Sequence, residues 1–546
     1  MDDLLSALGR DPAKRRRTWL LAAAALLAIP ALAGVAHRMG SHQRVTCTDG
    51  ADRLAGIWEP GAPSARKQAI QRAFAASGKS YADQAYAGVT RLLDQYVARW
   101  TGMHAEACEA THARGEQSAE VLDLRMACLN ERLGNARALS DVFATADGKV
   151  VENAVSAAAA LPSLDRCADV ALLRAVVKPP EDPATRKRVD ELMADLARLV
   201  ALRDSGQCAR AMPKADALIT DVRAVGYQPL LAETLFAAAQ VGNHCGDDVQ
   251  MLQRFKEAQG VASGSHNDDI AAQAAALIPL FAINRLSQDA IAREWLEVAR
   301  GAEARLGRET LASAMLAQAE GSLALTDHDY SRALTAADRS IEITRKLLGA
   351  DDPLTIAWEA NKGDWQLTAG RLEGALETDI SAREHFERVL GRDHPRVAMV
   401  WNNEGEVLAR LGRHVEAEAA YDRAVELFRQ SGAETGLLAW GLTGLGRARL
   451  SQKKSAEAVA PLEEALAIRI EKHAPSALLG ETRFALARAL WAHSDQRPRA
   501  LALANIARTD NSNRTLKSEI EQWLTQERVG SFWAETNLTP QRRRHP

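Results

Sequence analysis

The chain has 546 residues, a formal net charge of −3 and a pI near 6.5, so no global basic field favours nucleic-acid binding. Aromatic residues make up only 5%, whereas alanine, leucine, arginine and glutamate are abundant, and all four favour helices. Runs of alternating valine and isoleucine, which would indicate strands, are almost absent. We therefore predict an all-α protein with several domains or one long repeat array.

The first predicted element is a membrane helix. Residues 19–36 read WLLAAAALLAIPALAGVA without a charge, and the basic run 14–17 precedes them. About 17 apolar residues suffice to cross a bilayer, and a basic flank holds the preceding segment in the cytoplasm. We predict a cytoplasmic head over 1–17 and a single transmembrane helix over 18–39 in the inner (cytoplasmic) membrane. The C-terminal part would then be periplasmic.

A cleaved signal peptide is the main alternative for this segment. The run Ala31-Leu32-Ala33 before Gly34 has the small-residue pattern of a cleavage site. Cleavage would make the protein secreted rather than anchored. A buried core helix is a third interpretation.

After the apolar segment we predict a juxtamembrane linker over 40–64 and an irregular helical bundle over 65–177. Its main helices are predicted at Tyr81–Arg114 and Ser118–Ala144, where leucine and alanine recur at three- and four-residue steps. Residues 178–183, KPPEDP, predict a stiff hinge, because proline excludes helix and fixes an extended backbone.

The cysteines indicate an oxidising compartment, because all six follow the apolar segment. Connectivity cannot be deduced from sequence. We favour Cys108 with Cys128, since both lie in long helices of one bundle, and Cys47 with Cys167 around that bundle. A bridge between Cys208 and Cys245 stays open, because turns of successive units stand about 10 Å apart, beyond a reach of about 7 Å. Unpaired buried thiols are the alternative throughout.

Beyond the hinge the sequence repeats. Pro353 and Pro395 are 42 positions apart, and so are Gly370 and Gly412. Alanines recur at nearly the same step, at positions 333, 375, 417, 458 and 500. Self-similarity at this period predicts a solenoid of stacked helix pairs.

One unit carries a resemblance. The pattern W-x-x-x-G…G-x-x-x-x-A-x-x-x-Y-x-x-A, from Trp401 to Ala424, resembles a tetratricopeptide repeat, of the long-period class seen in kinesin light chains. The resemblance implies an α-solenoid over 184–510, with Gly206 and Gly242 as turn glycines of weaker copies. We predict seven or eight units, a capping helix over 511–528 and a disordered tail over 529–546.

A second resemblance covers residues 4–180. The RDPAKRRR head before the apolar segment, the EACEAT…GEQS stretch from Glu106 to Ser118, and LDLRMACL from Leu122 resemble the outer halves of myxobacterial membrane-bound serine/threonine protein kinases. In that family an N-terminal kinase domain precedes the membrane helix. Residues 4–17 look like the C-terminal tail of such a kinase, so the resemblance implies a sensor half separated from its catalytic domain.

We expect no enzyme activity, no cofactor and no metal. The chain lacks the glycine-rich loop, lysine, H-R-D and D-F-G motifs of a kinase, and also G-x-S-x-G, H-E-x-x-H and Walker sequences. His244-Cys245 has no cluster of ligands near it in sequence. His394 and His414 are predicted to cap turns or lie at the surface, and Glu463-Glu464 to lie on a solvated helix face.

The sequence therefore predicts a membrane-anchored scaffold or sensor that binds a protein or peptide partner, with no nucleic acid and no small-molecule substrate. A secreted binding or assembly factor remains the alternative if the signal is cleaved. A stacked helix array forms a concave surface for an extended peptide or a helix. The residues predicted to face this groove are Asp364, Met399, Asn402, Glu406, Trp440, Thr443 and Arg447. Solvated positions without a ligand are the other interpretation of the same residues.

Overall fold

A computed structural model of the chain describes residues 50–536 apart from 62, 432–434 and 511–512, together with Ala13, Arg16, Arg17, Trp19 and Cys47. Every regular element in this described part is a helix, so the all-α prediction is confirmed. The predicted membrane segment 18–39 lies outside the described residues except for Trp19. Among the described helices, none combines the length and apolar character needed to cross a bilayer.

The chain after position 50 begins with a helical bundle. It consists of a 3₁₀ turn at Asp52–Leu54, α1 Ala65–Ala76, α2 Ala82–His112, α3 Ala119–Phe143, α4 Gly148–Ala159, a 3₁₀ turn at Asp165–Ala168 and α5 Val170–Ala175. The two long helices begin and end within two residues of their predicted positions. Trp100 of α2 is fully buried, and its indole N–H donates to the Leu129 carbonyl of α3 over 2.7 Å.

The predicted hinge is a short extended connection that other side chains hold in place. Pro183 is the first residue of α6 rather than part of the hinge, and Asp182 caps that helix. The Tyr227 hydroxyl donates to the Val177 carbonyl over 2.9 Å, and Lys178 pairs with Glu120 at 2.8 Å. One apolar cluster continues from the bundle into the array. The predicted hinge therefore separates the bundle from the array in the sequence, but the apolar core is continuous across it.

Eight helix pairs and a capping helix follow. The first helices are α6 Pro183–Asp204, α8 Gln228–Cys245, α10 Asp268–Asn284, α12 Leu311–Thr326, α14 Pro353–Thr368, α16 Pro395–Arg410, α18 Thr435–Ser451 and α20 Ser476–Trp491. The second helices are α7 Cys208–Val225, α9 Asp248–Gly264, α11 Asp289–Leu306, α13 Tyr330–Leu348, α15 Leu372–Leu390, α17 His414–Ser431, α19 Ser455–Glu471 and α21 Arg497–Asp510. A 3₁₀ turn at Ser494–Gln496 lies inside the last pair.

The capping helix, α22, runs from Arg514 to Thr536. Its last residues, 529–536, lie in the segment that the sequence assigns to the tail. Residues 537–546 lie outside the described part of the chain.

The turn inside each of the first seven pairs uses a left-handed backbone. The residues with positive φ are Gly206, Gly246, Ser287, His328, Gly370, Gly412 and Lys453, spaced 40–42 positions apart. Glycine adopts this conformation without strain, which explains its frequency here. Gly242, predicted as a turn glycine, instead lies inside α8, and Gly246 ends that helix. In pairs 3 and 4 the turn residue is Ser287 or His328, so a search for periodic glycines does not find these two turns.

Small residues let the two helices of a pair approach closely. Alanine is fully buried at the same position of seven second helices, at residues 211, 292, 333, 375, 417, 458 and 500. Gly405 and Gly444 face the Tyr421 ring from two neighbouring first helices, and a Cβ at Gly405 would lie 2.9 Å from that ring. The two helices of pair 6 therefore approach each other closely at Gly405. Tyr421 also fills the space toward the next pair.

The array curves around the bundle and contacts it at pair 1, at pair 3, where Arg166 pairs with Asp269 at 3.6 Å, and again at pairs 5 and 6. α3 packs along α6, the first helix of pair 1. α2 and α4 reach α15 and α14 of pair 5. Neighbouring first helices in pairs 5 to 8 lie closer to one another than neighbouring second helices do, so the first helices form the inner side of the curve.

At pair 5 and pair 6 the bundle binds the carboxyl ends of second helices. The Gln84 side-chain amide donates to the Arg388 carbonyl of α15 over 2.8 Å, and Lys79 donates to the Ser431 carbonyl of α17. The last carbonyls of a helix have no partner within it and carry partial negative charge, so a cation or amide there is favourable.

His394 completes this contact in its neutral form. Its Nδ1 accepts the Arg396 backbone N–H over 3.1 Å and caps α16, so Nε2 donates to the Glu152 carbonyl at 2.9 Å. Its ring also packs on Tyr81, with centroids 5.0 Å apart. Burial lowers the pKa of His394 to about 3. Capping was the predicted role, but the side chain is buried rather than at the surface.

All six cysteines form disulfides, paired Cys47–Cys108, Cys128–Cys167 and Cys208–Cys245. The favoured pairing of Cys108 with Cys128 and Cys47 with Cys167 is therefore wrong: each long helix is linked to a short segment outside it. The Cα atoms of Cys208 and Cys245 are 5.5 Å apart, because the first two turns approach more closely than the regular stack suggested. The three bridges close loops of 37–61 residues. In the chain-entropy model each loop lowers the entropy of the unfolded chain and so stabilises the folded state by about 4 kcal/mol.

Gly444→Ala tests the close packing inside the array. The added methyl group would lie 2.2 Å from the Tyr421 ring, so we expect a loss of about 1–3 kcal/mol in the free energy of unfolding. Urea unfolding followed by circular dichroism measures it. Gly301→Ala on α11 is the control, because no atom lies within 4 Å of its Cβ position, and it should be neutral or stabilising. Equal effects of both changes would contradict the packing account.

Candidate functional site

The inner side of pairs 5 to 8 exposes one line of side chains on each first helix. We call this surface the open strip, and define it by Asp364 on α14, Met399, Glu406 and Arg410 on α16, Trp440 and Arg447 on α18, and Arg488 on α20. Met399 and Trp440 occupy the same repeat position, 41 residues apart, and are 39% and 37% exposed. Large apolar side chains exposed on neighbouring helices are typical of interaction surfaces.

The structure places five of the seven predicted groove residues on this strip. Asn402 and Thr443 are not on it: both are buried between neighbouring helix pairs. The Asn402 oxygen faces the backbone of α18 at Gly441, and Thr443 donates to the Ala439 carbonyl and lies 3.3 Å from the Thr482 hydroxyl. The prediction that these two side chains face a groove is corrected accordingly.

Charged side chains of the strip partly pair with one another. Glu406 accepts a hydrogen bond from the Tyr421 hydroxyl at 3.0 Å, and Arg447 stands 3.8 Å from the same carboxylate oxygen. Burial raises the pKa of Tyr421 well above its usual value, so its hydroxyl remains a donor. Arg410 and Arg488, which the sequence argument missed, follow from the same helical face and from the 41-residue step beyond Arg447.

A buried acidic cluster lies beneath the α14 end of the strip. Asp379 of α15 is fully buried against Gly363, and neither of its carboxylate oxygens has a hydrogen-bond partner among the described residues. Desolvation, with the nearby charges of Asp364 and Glu404, raises the pKa of Asp379 to about 8. Glu404 accepts from the Arg383 guanidinium at 2.5 Å, and burial raises the pKa of Glu404.

The Asp364 side chain is exposed to solvent on one side. Protein atoms on its other sides desolvate the carboxylate and raise its pKa to about 6. The neighbouring residue Trp365 is not on the strip and packs in the core against Gly321. Trp401 is half-buried under the Arg383 guanidinium, 4.2 Å from the ring centroid.

A cleft of about 520 Å³ on α13, α14 and α15 is a weaker candidate. Its charged side chains already pair within it: Lys362 with Asp338 at 2.6 Å, and Arg345 with Glu359 at 2.8 Å. Cys245 is bridged and cannot be a metal ligand beside His244. Over the described residues, no group of three or more histidine, cysteine and acidic side chains could hold a metal.

Comparison with known proteins identifies the repeat. Residues 396–471, which span α16 to α19, match the tetratricopeptide-repeat family model. A search of curated proteins finds no match. Residues 396–471 therefore form tetratricopeptide repeats, and proteins built from such repeats are generally binding scaffolds rather than catalysts.

Similar solved structures include a Podosopora anserina chain of kinesin-light-chain type with nearly identical TPR-like repeats (17% identity, 37% of this chain and 96% of that one, TM-score 0.32). They also include a Rap protein complexed with Competence and Sporulation Factor (13%, 63% and 99%, 0.43) and yeast Tom70 (13%, 73% and 82%, 0.38). The repeat assignment rests on the helix pairs and the family match, not on these likenesses.

Asp379→Asn tests the buried acid through the pH dependence of stability. The folded-state pKa of Asp379, about 8, lies above the usual value near 3.9. The protonated carboxyl therefore contributes fully to the free energy of unfolding below about pH 4, and this contribution is lost as the pH rises toward 8. Over that window its ionisation should lower the free energy of unfolding by up to about 1.4 kcal/mol per pH unit. The variant should show a shallower decline in urea unfolding between pH 5 and pH 8.

The matched control is Asp338→Asn on α13, an exposed carboxylate whose side chain is 61% accessible. It should keep the wild-type slope. Parallel pH profiles for wild type and Asp379→Asn would contradict a protonated Asp379.

Proposed function

We propose that this protein is a membrane-anchored, extracytoplasmic and non-enzymatic tetratricopeptide-repeat protein that captures a protein or peptide partner on the open strip. The observation that carries the proposal is the pair of exposed apolar side chains, Met399 and Trp440, on neighbouring inner helices. Tryptophan and methionine supply large, adaptable contact area at recognition sites. The bundle binds the helix ends of pairs 5 and 6 and leaves these two side chains accessible.

Two features support the extracytoplasmic placement. The uncharged run 19–36 follows a basic flank, which is the pattern of a single-pass anchor with its C-terminal part outside. Two disulfides link the long bundle helices to neighbouring segments and a third joins pair 1 to pair 2, and such bridges persist in oxidising compartments.

The resemblance of residues 4–180 to the outer halves of myxobacterial kinases favours a second candidate, the sensor half of such a kinase. The partner-binding strip would be the same in that case. An in-frame kinase reading frame upstream of Met1 would favour the sensor, and its absence would favour a separate scaffold.

Met399→Ala combined with Trp440→Ala tests partner capture. Removing both side chains should lower partner recovery from periplasmic extract at least about tenfold, because central aromatic contacts dominate interface energies. Val415→Ala with Ile470→Ala is the control, since these exposed residues lie on second helices, away from the inner side. Recovery that falls equally in both double variants, or in neither, would reject the open strip as the binding surface.

A fusion of alkaline phosphatase after residue 180 tests the placement of the array. We expect an active fusion in a bacterial host, because the enzyme requires the oxidising side of the membrane. Sodium carbonate extraction should leave the full chain in the membrane fraction. An inactive fusion would reject the extracytoplasmic placement, and release by carbonate would favour the cleaved, secreted form.

A further inference from the structure

We propose that the α14 end of the open strip binds a basic side chain of the captured partner, with Asp364 as the direct contact and Asp379 as a second carboxyl beneath it. We call these two residues the basic-residue site. This inference rests on the proposed function and specifies the chemistry of the partner. Its support is an accessible carboxylate without a counter-ion, a buried carboxyl without a hydrogen-bond partner, and neighbouring cations that are already paired.

The Asp364 carboxylate is accessible and has no cation of its own. The side chain is exposed on the inner side of α14, and no arginine, lysine or histidine among the described residues forms an ion pair with it. The protein atoms around it replace water on the other sides without supplying positive charge. A cation that enters from the solvent would therefore stabilise this carboxylate more than a carboxylate fully surrounded by water.

Asp379 places a second carboxyl group behind this contact. It is fully buried on α15, and its Oδ1 atom lies directly against Gly363, where a Cβ would overlap that oxygen. Gly363 immediately precedes Asp364 on α14, so the two carboxyl groups belong to one local cluster. Neither oxygen of Asp379 has a hydrogen-bond partner among the described residues, although buried polar groups in folded proteins usually have one.

The surroundings of Asp379 supply no counter-ion. The nearby charges that act on it are those of Asp364 on α14 and Glu404 on α16, and both are negative. The cations on the helices around it bind other carboxylates: Lys362 binds Asp338, Arg345 and His385 bind Glu359, Arg388 binds Asp351, and Arg383 binds Glu404 and Glu387. A cation for this end of the strip therefore has to come from a ligand.

The basic-residue site lies diagonally across the strip from the nearest apolar contact, Met399. Met399 stands on the next first helix, seven residues before Glu406, which has the repeat position of Asp364. Seven helical residues rise about 10.5 Å and packed helices stand about 8–10 Å apart, so the diagonal is about 14 Å. An extended chain advances about 3.3 Å per residue. A basic and a large apolar side chain about four positions apart would therefore reach both contacts.

Immobilised synthetic peptides test this site, with the full-length protein in detergent micelles and its retention on the peptides as the readout. The peptides are acetylated amides of the form Ser-X-Ser-Ser-Ser-Leu-Ser, in which X is lysine, arginine, N-acetyl-lysine or glutamate. At about pH 7.5 the lysine and arginine peptides should retain at least about tenfold more protein than the N-acetyl-lysine peptide, which is the scale of one hydrogen bond to a charged group. The glutamate peptide should retain least.

Variants of the protein assign the preference to Asp364. Asp364→Asn should remove the preference for lysine and arginine, whereas Asp364→Glu should keep most of it. Glu426→Gln on the outer helix α17 is the control, because this side chain is 53% exposed and pairs with Arg423. It should leave the preference unchanged.

The pH dependence of binding tests the contribution of Asp379. Desolvation raises the pKa of Asp364 to about 6, and desolvation with two nearby acids raises the pKa of Asp379 to about 8. A bound cation favours the charged form of both groups, so protons should be released on binding. Retention by the lysine peptide should therefore rise between about pH 5.5 and pH 8.5, where lysine stays protonated. Asp379→Asn should flatten the upper part of this rise, whereas a purely structural role would change retention equally at every pH.

The outcomes separate this inference from the proposed function. If the lysine, N-acetyl-lysine and glutamate peptides retain the protein equally, or if none retains it, the basic-residue site is rejected. If the Met399/Trp440 double variant lowers retention on every peptide and Asp364→Asn changes nothing, the strip binds as proposed but the site for a basic side chain is wrong. If Asp364→Asn removes the preference and the double variant changes nothing, the basic-residue site is upheld and the apolar contact is rejected.

Discussion

The contact that the rest of the array depends on is a methyl-sized gap inside seven of the eight described helix pairs, which a fully buried alanine of the second helix fills. In pair 2 Met251 takes the alanine position and packs against Gly242, which has no side chain. A larger residue would push the two helices apart and change the angle at which the next pair stacks. The curvature of the inner side, and hence the spacing of the open strip, therefore depends on the smallest side chains in the chain.

The bundle also stabilises the curvature of the helix array. It packs along the first pair and binds the helix ends of pairs 5 and 6 through Lys79, Gln84 and His394, at sequence distances of several hundred residues. Such contacts close the curve and join distant parts of the array into one body. Pairs 5 to 8 retain an accessible inner surface. The residues of these pairs that contact the bundle are therefore different from the residues of the open strip.

Periodicity made the repeat class and the approximate site predictable. The 42-residue step located the pairs from about position 330 onward, and it also placed Asp364, Met399, Glu406, Trp440 and Arg447 on one surface. The same step could not distinguish Asn402 from its neighbours, because burial between pairs depends on how closely α16 and α18 approach. Periodicity alone says which positions are equivalent, and the packing distance decides which are exposed.

Non-local contacts were beyond the sequence argument. The disulfide partners of Cys108 and Cys128 lie in a segment before the bundle and in a short 3₁₀ turn, neither of which carries a helical period. The bundle contacts the backbone carbonyls of Ser431 and Arg388. Every residue has such a carbonyl, so the sequence does not indicate this contact. Ser287 and His328 hid early turns, because they adopt a conformation that is usually recognised by its glycine.

The distribution of the three disulfides makes the molecule mechanically asymmetric. All six cysteines lie within the first 245 residues, so two bridges lie in the bundle and one joins the first two pairs, while pairs 3 to 8 are held only by non-covalent contacts. Under tension along the chain, the three segments that the bridges enclose cannot lengthen. The later pairs would therefore extend before these segments do.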